Sequence, residues 1–164
     1  MKFRDESFRL VMSLVIFSVF AKVSAYAQTP MGEVGRVNLT QATSADRFIV
    51  DLQNSYVNPI VVIGSVTQND LEPLSARIVS KDSSSFTFFL QEWENLDGVH
   101  AEETVSYMVI EAGHHSMPSG LAIEAGSLSS SSAAVHSEKY SQTFTSAPLV
   151  FATVSSENDS ATCV

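Results

Sequence analysis

Short runs of alternating apolar residues, turn residues recurring between them, and no window with a sustained 3.6-residue apolar stripe together predict an all-β chain. Seven short strands with frequent turns argue for a β-sandwich or a barrel of six to seven strands, since strands this short bury one face each and need another layer to cover it. The first run spans residues 33–40. The second, RFIVDLQ at 47–53, sets Phe48, Val50 and Leu52 against Arg47, Ile49 and Asp51, the pattern of a strand with one wet face. The third, at 59–67, contains IVVIGSV, apolar on both parities. That suits a central strand covered on both sides or a strand in an oligomer contact. Residues 75–80 form the fourth run. In the fifth, at 86–93, Phe86, Phe88 and Leu90 share one face while Thr87, Phe89, Gln91 and Trp93 share the other. The sixth, at 104–111, gives Val105, Tyr107 and Val109 against Thr104, Ser106 and Met108. The fifth and sixth runs flank ENLDGVHAE, whose Asp-Gly pair and charges are turn chemistry, so they are expected to pair as a hairpin. A last run covers 121–128.

The N-terminus stands apart from this pattern. Lys2, Arg4 and Arg9 precede the apolar run LVMSLVIFSVFA, and Ala25-Tyr26-Ala27 supplies small residues at the positions a signal peptidase reads. The expectation is a signal peptide over 1–27, cleavage after Ala27 and a secreted or extracellular product. A membrane anchor is disfavoured because a spanning helix needs about 20 apolar residues, and Lys22 ends this run early. Cleavage leaves 5 basic against 16 acidic residues, a net of −11. Such a surface repels nucleic acid and anionic membranes, so neither is an expected partner. The acidity points instead to solubility or to divalent-cation binding. The single cysteine, Cys163, has no partner for an internal disulfide, so packing must hold the domain.

The chain also repeats itself. Glu33-Val34-Gly35-Arg36-Val37 matches Glu124-Ala125-Gly126-Ser127-Leu128, and NPIVVIGSVTQND at 58–70 matches APLVFATVSSEND at 147–159 without a gap, at offsets of 91 and 89 residues. The division this predicts is a signal peptide at 1–27, a complete β-sandwich at 28–123 and a truncated second repeat at 124–164. The second repeat has no counterpart of Phe86 or Trp93. Three strands alone do not cover a sandwich face, and the Ser-rich stretch 127–137 reads as linker.

Three pieces together resemble the H-type lectin domain of snail agglutinin and discoidin C-terminal domains: NPIVVIGSVTQND, the Ala76-Arg77-Ile78 strand, and Ser85-Phe86-Thr87 leading to Trp93 and then VSYMVIE. A tandem repeat of large secreted bacterial proteins looks similar. The resemblance covers about Arg47 to Gly113. It implies a six-stranded antiparallel sandwich, homotrimers, and glycan ligands of the N-acetylgalactosamine type. Trp93 matches the family's strand-end Trp. The next position, often a sugar-contacting His, is Glu94 here, and the loop Leu71–Ser75 lacks the family's Arg; Arg77 matches a strand-borne Arg instead.

Read from the residues themselves, Trp93, Glu94, Asn95 and Asp97 are the candidate carbohydrate-binding set. An indole covers the apolar side of a pyranose, and carboxylate and amide oxygens accept its hydroxyls. The bland reading is a Trp in a sheet-edge or subunit contact beside a solvated loop. Glu92, Glu94, Asp97, Glu102 and Glu103 offer oxygens for Ca²⁺ but lack the ordered spacing of a calcium loop, so no metal residue is assigned and no other cofactor is expected. His114 and His115 point to opposite faces if extended, a poor zinc pair, and GHHSMPSG reads as a turn. The acidic residues share one loop rather than facing across a cleft, and no nucleophile, base and orienter are recognisable, so no enzyme is expected. The function expected is non-catalytic glycan binding or adhesion; the alternative is a structural repeat or spacer of a larger surface protein.

Overall fold

The computed structural model describes residues 30–93, 95–129, 137 and 139–156. The predicted signal peptide, Glu94 and Cys163 lie outside the described residues. Eight strands follow in order: β1 (Gly32–Gln41), β2 (Phe48–Asp51), β3 (Pro59–Val66), β4 (Leu74–Lys81), β5 (Ser85–Glu92), β6 (His100–Glu111), β7 (Gly113–Ser116) and β8 (Ala122–Ala125). No helix occurs among the described residues.

Six of the strands form two antiparallel three-stranded sheets, ordered β1-β6-β3 and β2-β5-β4, and β7 pairs with β8 in a small third sheet. The all-β sandwich expected from alternation is therefore present. Its core is built from two of the faces that period-two reading grouped: Phe86, Phe88 and Leu90 from β5 meet Val105, Tyr107 and Val109 from β6, with Val50, Tyr56, Val61, Ile63 and Ile78 around them. Each of these large apolar side chains contributes about 1.5–3 kcal/mol by leaving water. Phe86 packs edge-on to the Tyr107 ring, 5.2 Å between centroids, and thereby ties the two sheets together. Gly35 faces Tyr107 from β1; a Cβ there would lie 2.3 Å from the ring, so only glycine admits it.

Three expectations are corrected. β5 and β6 do not form a hairpin: β5 pairs with β2 and β4, β6 with β1 and β3, so the chain between them crosses from one sheet to the other. The side chain of Gln41, fully buried, fixes this crossing. Its amide donates to the carbonyls of Leu90 (2.8 Å) and Gly98 (3.0 Å) and accepts from Leu90 N–H (3.0 Å), so the end of β1 is bonded both to β5 and to the loop that leaves it. β3 is an edge strand and not a central one; its second apolar parity, Ile60 and Val62, lies half-buried on the outward side. The GHHS stretch is strand β7, and only MPSG turns the chain, with Gly120 at φ +84°. The expected boundary at residue 123 falls inside β8.

Carboxylates organise the connections between strands. Glu33 receives the N–H groups of Gln53 and Asn54 at 3.0 Å each and the Tyr56 hydroxyl at 3.1 Å. Glu111 receives those of Val57 (2.7 Å) and Asn58 (2.6 Å), and Asp46 and Asp82 close their own turns on Ala42 and Thr43 and on Ser84 and Ser85. Part of the chain's acidity thus serves orphan backbone donors that a loop-rich fold must satisfy. Burial opposes ionisation of Glu33, but its donors from Gln53, Asn54 and Tyr56 outweigh that and hold its pKa below the usual value.

Candidate functional site

At one end of the sandwich, β5 stops at Glu92 and Trp93 emerges with 52% of its surface exposed. A tight turn follows at once, closed by Leu96 N–H donating to the Trp93 carbonyl at 3.0 Å, so exposed Asn95 occupies the turn beside the indole-bearing residue. Glu94 lies outside the described residues. Asp97, itself exposed, accepts the Val99 N–H at 2.9 Å. Gly98 then takes φ +72°, where a side chain is strained, and a Cβ there would lie 2.6 Å from Ser44.

Glu92 is held from below. Its Oε2 accepts the Gly98 N–H at 2.7 Å, and its Oε1 lies 2.6 Å from Nε2 of His100, whose side chain is wholly buried. The first residue of β6 is therefore a support for the last residue of β5. Ligand oxygens of Glu72, Glu92 and Asp97 lie within 4.8 Å of one another. Glu72 arrives from the β3–β4 loop, and its pKa is raised by burial and then by the negative charges of Glu92, Asp97 and Asp70. Three convergent carboxylates are hard oxygen ligands of the type Ca²⁺ takes, with water completing the six to eight positions.

The structure places Trp93, Asn95 and Asp97 of the predicted set on one loop at the end of β5, and it brings Asp97 to Glu92 and Glu72. It removes two residues from the acidic group considered for calcium. Glu103 is fully buried, accepting from Asn69 N–H (2.8 Å), Asp70 N–H (2.9 Å) and the Thr67 hydroxyl, and Glu102 is exposed on β6 with its carbonyl bonded to Asn69 Nδ2 at 2.7 Å. The residue that sequence reasoning missed is Glu72. The Glu103 clamp on Asn69 and Asp70 holds the loop that carries it, two residues further on.

Other sequence-marked residues find different roles. Arg77 is buried on the outward face of β4, opposite Phe89, and donates to Gln91 Oε1 at 2.8 Å; Arg47 stacks over the same Phe89 ring at 4.0 Å. His114 and His115 point to opposite sides, the first to Ser141 and the second to the Glu111 carbonyl. Two hollows lie away from Trp93. One of about 430 Å³ lies on the outward face of the β1-β6-β3 sheet between Arg36, Gly64 and Met108; one of about 340 Å³ lies between β3 and β4.

The chain is thus an antiparallel β-sandwich that carries an exposed tryptophan and a three-carboxylate cluster at one end. Comparison with protein-family models, with curated proteins and with solved structures yields no match.

Proposed function

We propose that this chain is a non-catalytic carbohydrate-binding module of the H-type-lectin kind, acting in adhesion outside the cell. The observation that carries the reading is Trp93, half-exposed where β5 ends, with Asn95 and Asp97 following it in the same loop and the carboxylates of Glu72, Glu92 and Asp97 converging at that end of the sandwich. An indole stacks on the apolar face of a pyranose while the oxygens around it accept hydroxyl protons. The strand order β1-β6-β3 against β2-β5-β4 gives the six-stranded sandwich that the resemblance implies. The carboxylates disfavour anionic sugars such as uronic acids and favour neutral or N-acetylated ones, with N-acetylgalactosamine the first ligand to test. A divalent cation held by Glu72, Glu92 and Asp97 would remove their mutual repulsion and present a further bond to sugar hydroxyls. Weak single sites gain avidity in a homotrimer or a repeat array.

The test is a glycan array probed with the chain in calcium and in chelator, beside Trp93→Ala. Selective binding lost in Trp93→Ala, with circular dichroism unchanged, is the expected result. A folded chain that binds no glycan in either buffer overturns the reading and leaves the structural spacer as the better account.

A further inference from the structure

β3 and β4 are the edge strands on the same side of the two sheets, and an edge strand presents unpaired backbone groups. The segment 151–154 lies across that side and bonds to both. Thr153 Oγ1 accepts Ile63 N–H at 2.9 Å and lies 3.3 Å from the Ile63 carbonyl, while the Val154 carbonyl accepts Ile78 N–H at 3.0 Å. Between them the hollow of about 340 Å³ is lined by Ile63, Val66, Leu74 and Ala76 of the sandwich and by Ala152 and Val154 of this strap.

The strap is the sequence counterpart of β3 itself: at the 89-residue offset Ala152, Thr153 and Val154 correspond to Ile63, Gly64 and Ser65. The other matched block behaves alike in both places. Glu33 clamps Gln53 and Asn54 N–H, and its counterpart Glu124 clamps Ser141 N–H (2.9 Å) and Gln142 N–H (3.2 Å). Immediately before the strap, Leu149, Val150 and Phe151 are 87%, 68% and 68% exposed, three consecutive large apolar residues left in water.

We propose that the β3–β4 side is an acceptor for the strap of a second copy of this chain, so that two molecules exchange their 151–154 segments. Exchange reproduces every strap contact in trans, which makes it a low-cost route to a symmetric dimer. Covalent linkage keeps the strap of its own molecule at an effective concentration on the order of millimolar. Exchange therefore prevails only where the dimer buries something the closed chain leaves wet. The Leu149–Val150–Phe151 run, brought beside its own copy at the crossover, is that surface. This proposal stands independently of the glycan reading.

The test uses the full chain over micromolar to millimolar concentrations, by sedimentation and by isotope-filtered NMR on a mixture of ¹³C-labelled and unlabelled copies. The expected result is a dimer that grows with concentration and shows contacts between Thr153 of one molecule and Ile63 of the other. The triple variant Leu149→Ser, Val150→Ser, Phe151→Ser should weaken the dimer roughly 100-fold, while the Ile63 amide stays protected from exchange in the monomer. A monomer at all concentrations, a dimer lacking those contacts, or a dimer indifferent to the triple variant overturns the proposal.

Discussion

Replacing Glu103 by alanine is the perturbation whose cost the structure defines best. The carboxylate is wholly buried and accepts the N–H groups of Asn69 (2.8 Å) and Asp70 (2.9 Å), while the Thr67 hydroxyl donates to it and in turn accepts Thr104 N–H at 2.7 Å. Removing the acceptor strands three donors, each worth about 1–3 kcal/mol if left unsatisfied in the interior. The loop lies near the surface, so water entering the vacated space keeps the total near the bottom of that range, about 3 kcal/mol. Glu103→Gln retains one oxygen for the two backbone donors and should cost about 1 kcal/mol. Urea denaturation reads the difference: with m of about 1.5 kcal/mol/M, the alanine midpoint should fall by about 2 M and the glutamine midpoint by less than 1 M. Equal costs for the two variants, or a loss below about 1 kcal/mol in alanine, would refute the view that this carboxylate organises the β3–β4 loop. Because that loop also carries Glu72, Glu103→Ala should weaken ligand binding at the Trp93 end as well.

Gly98→Ala should cost about 2 kcal/mol or more, since it combines a positive φ with a Cβ 2.6 Å from Ser44, and the shift of the thermal midpoint measures it. Acid should destabilise the fold through Glu33. Its folded pKa is lowered from 4.5, so the unfolded chain takes up the proton first, and the stability it supplies is present above about pH 4.5 and lost as pH falls through the folded value. Glu33→Gln should flatten that limb of a pH–stability profile, and an unchanged profile would contradict the assignment. At the alkaline end Tyr56, pushed up to about 12 by burial and by its bond to Glu33, should ionise well above 10 in a spectrophotometric titration. The stability it lends is complete below about 10 and lost as pH rises toward 12.

The sandwich was legible because period-two alternation states which residues share a side of a strand, and Phe86, Phe88 and Leu90, like Val105, Tyr107 and Val109, enter the core together as sets. Strand partners were less legible. Parity is silent on which strand pairs with which, and the short link between β5 and β6 favoured a hairpin; the buried Gln41 amide, far away in sequence, makes that link a crossing between sheets. The double parity of IVVIGSV concealed an edge strand, whose outward Ile60 and Val62 are only half-buried. Trp93, Asn95 and Asp97 were found from their composition at a strand end. Glu72 was not, because it stands 20 positions before Glu92 in the chain and reaches it only through the Glu103 clamp. Acidic residues also carry little positional signal in a chain this acidic: Glu33, Glu103 and Glu111 serve backbone donors, and Asp97 does so too through Val99 N–H while also meeting Glu72 and Glu92, so residue type alone does not separate the roles.

Trp93 is the chain's single tryptophan, so its fluorescence reports on the proposed site and on nothing else. Titration of the folded chain with N-acetylgalactosamine, and with any glycan selected on the array, should give a saturable shift or quench of that emission, abolished by free competing sugar and weakened in Asp97→Asn. Emission that stays constant up to saturating concentrations of every such sugar, in calcium and in chelator alike, would contradict the assignment of this loop end as a carbohydrate site.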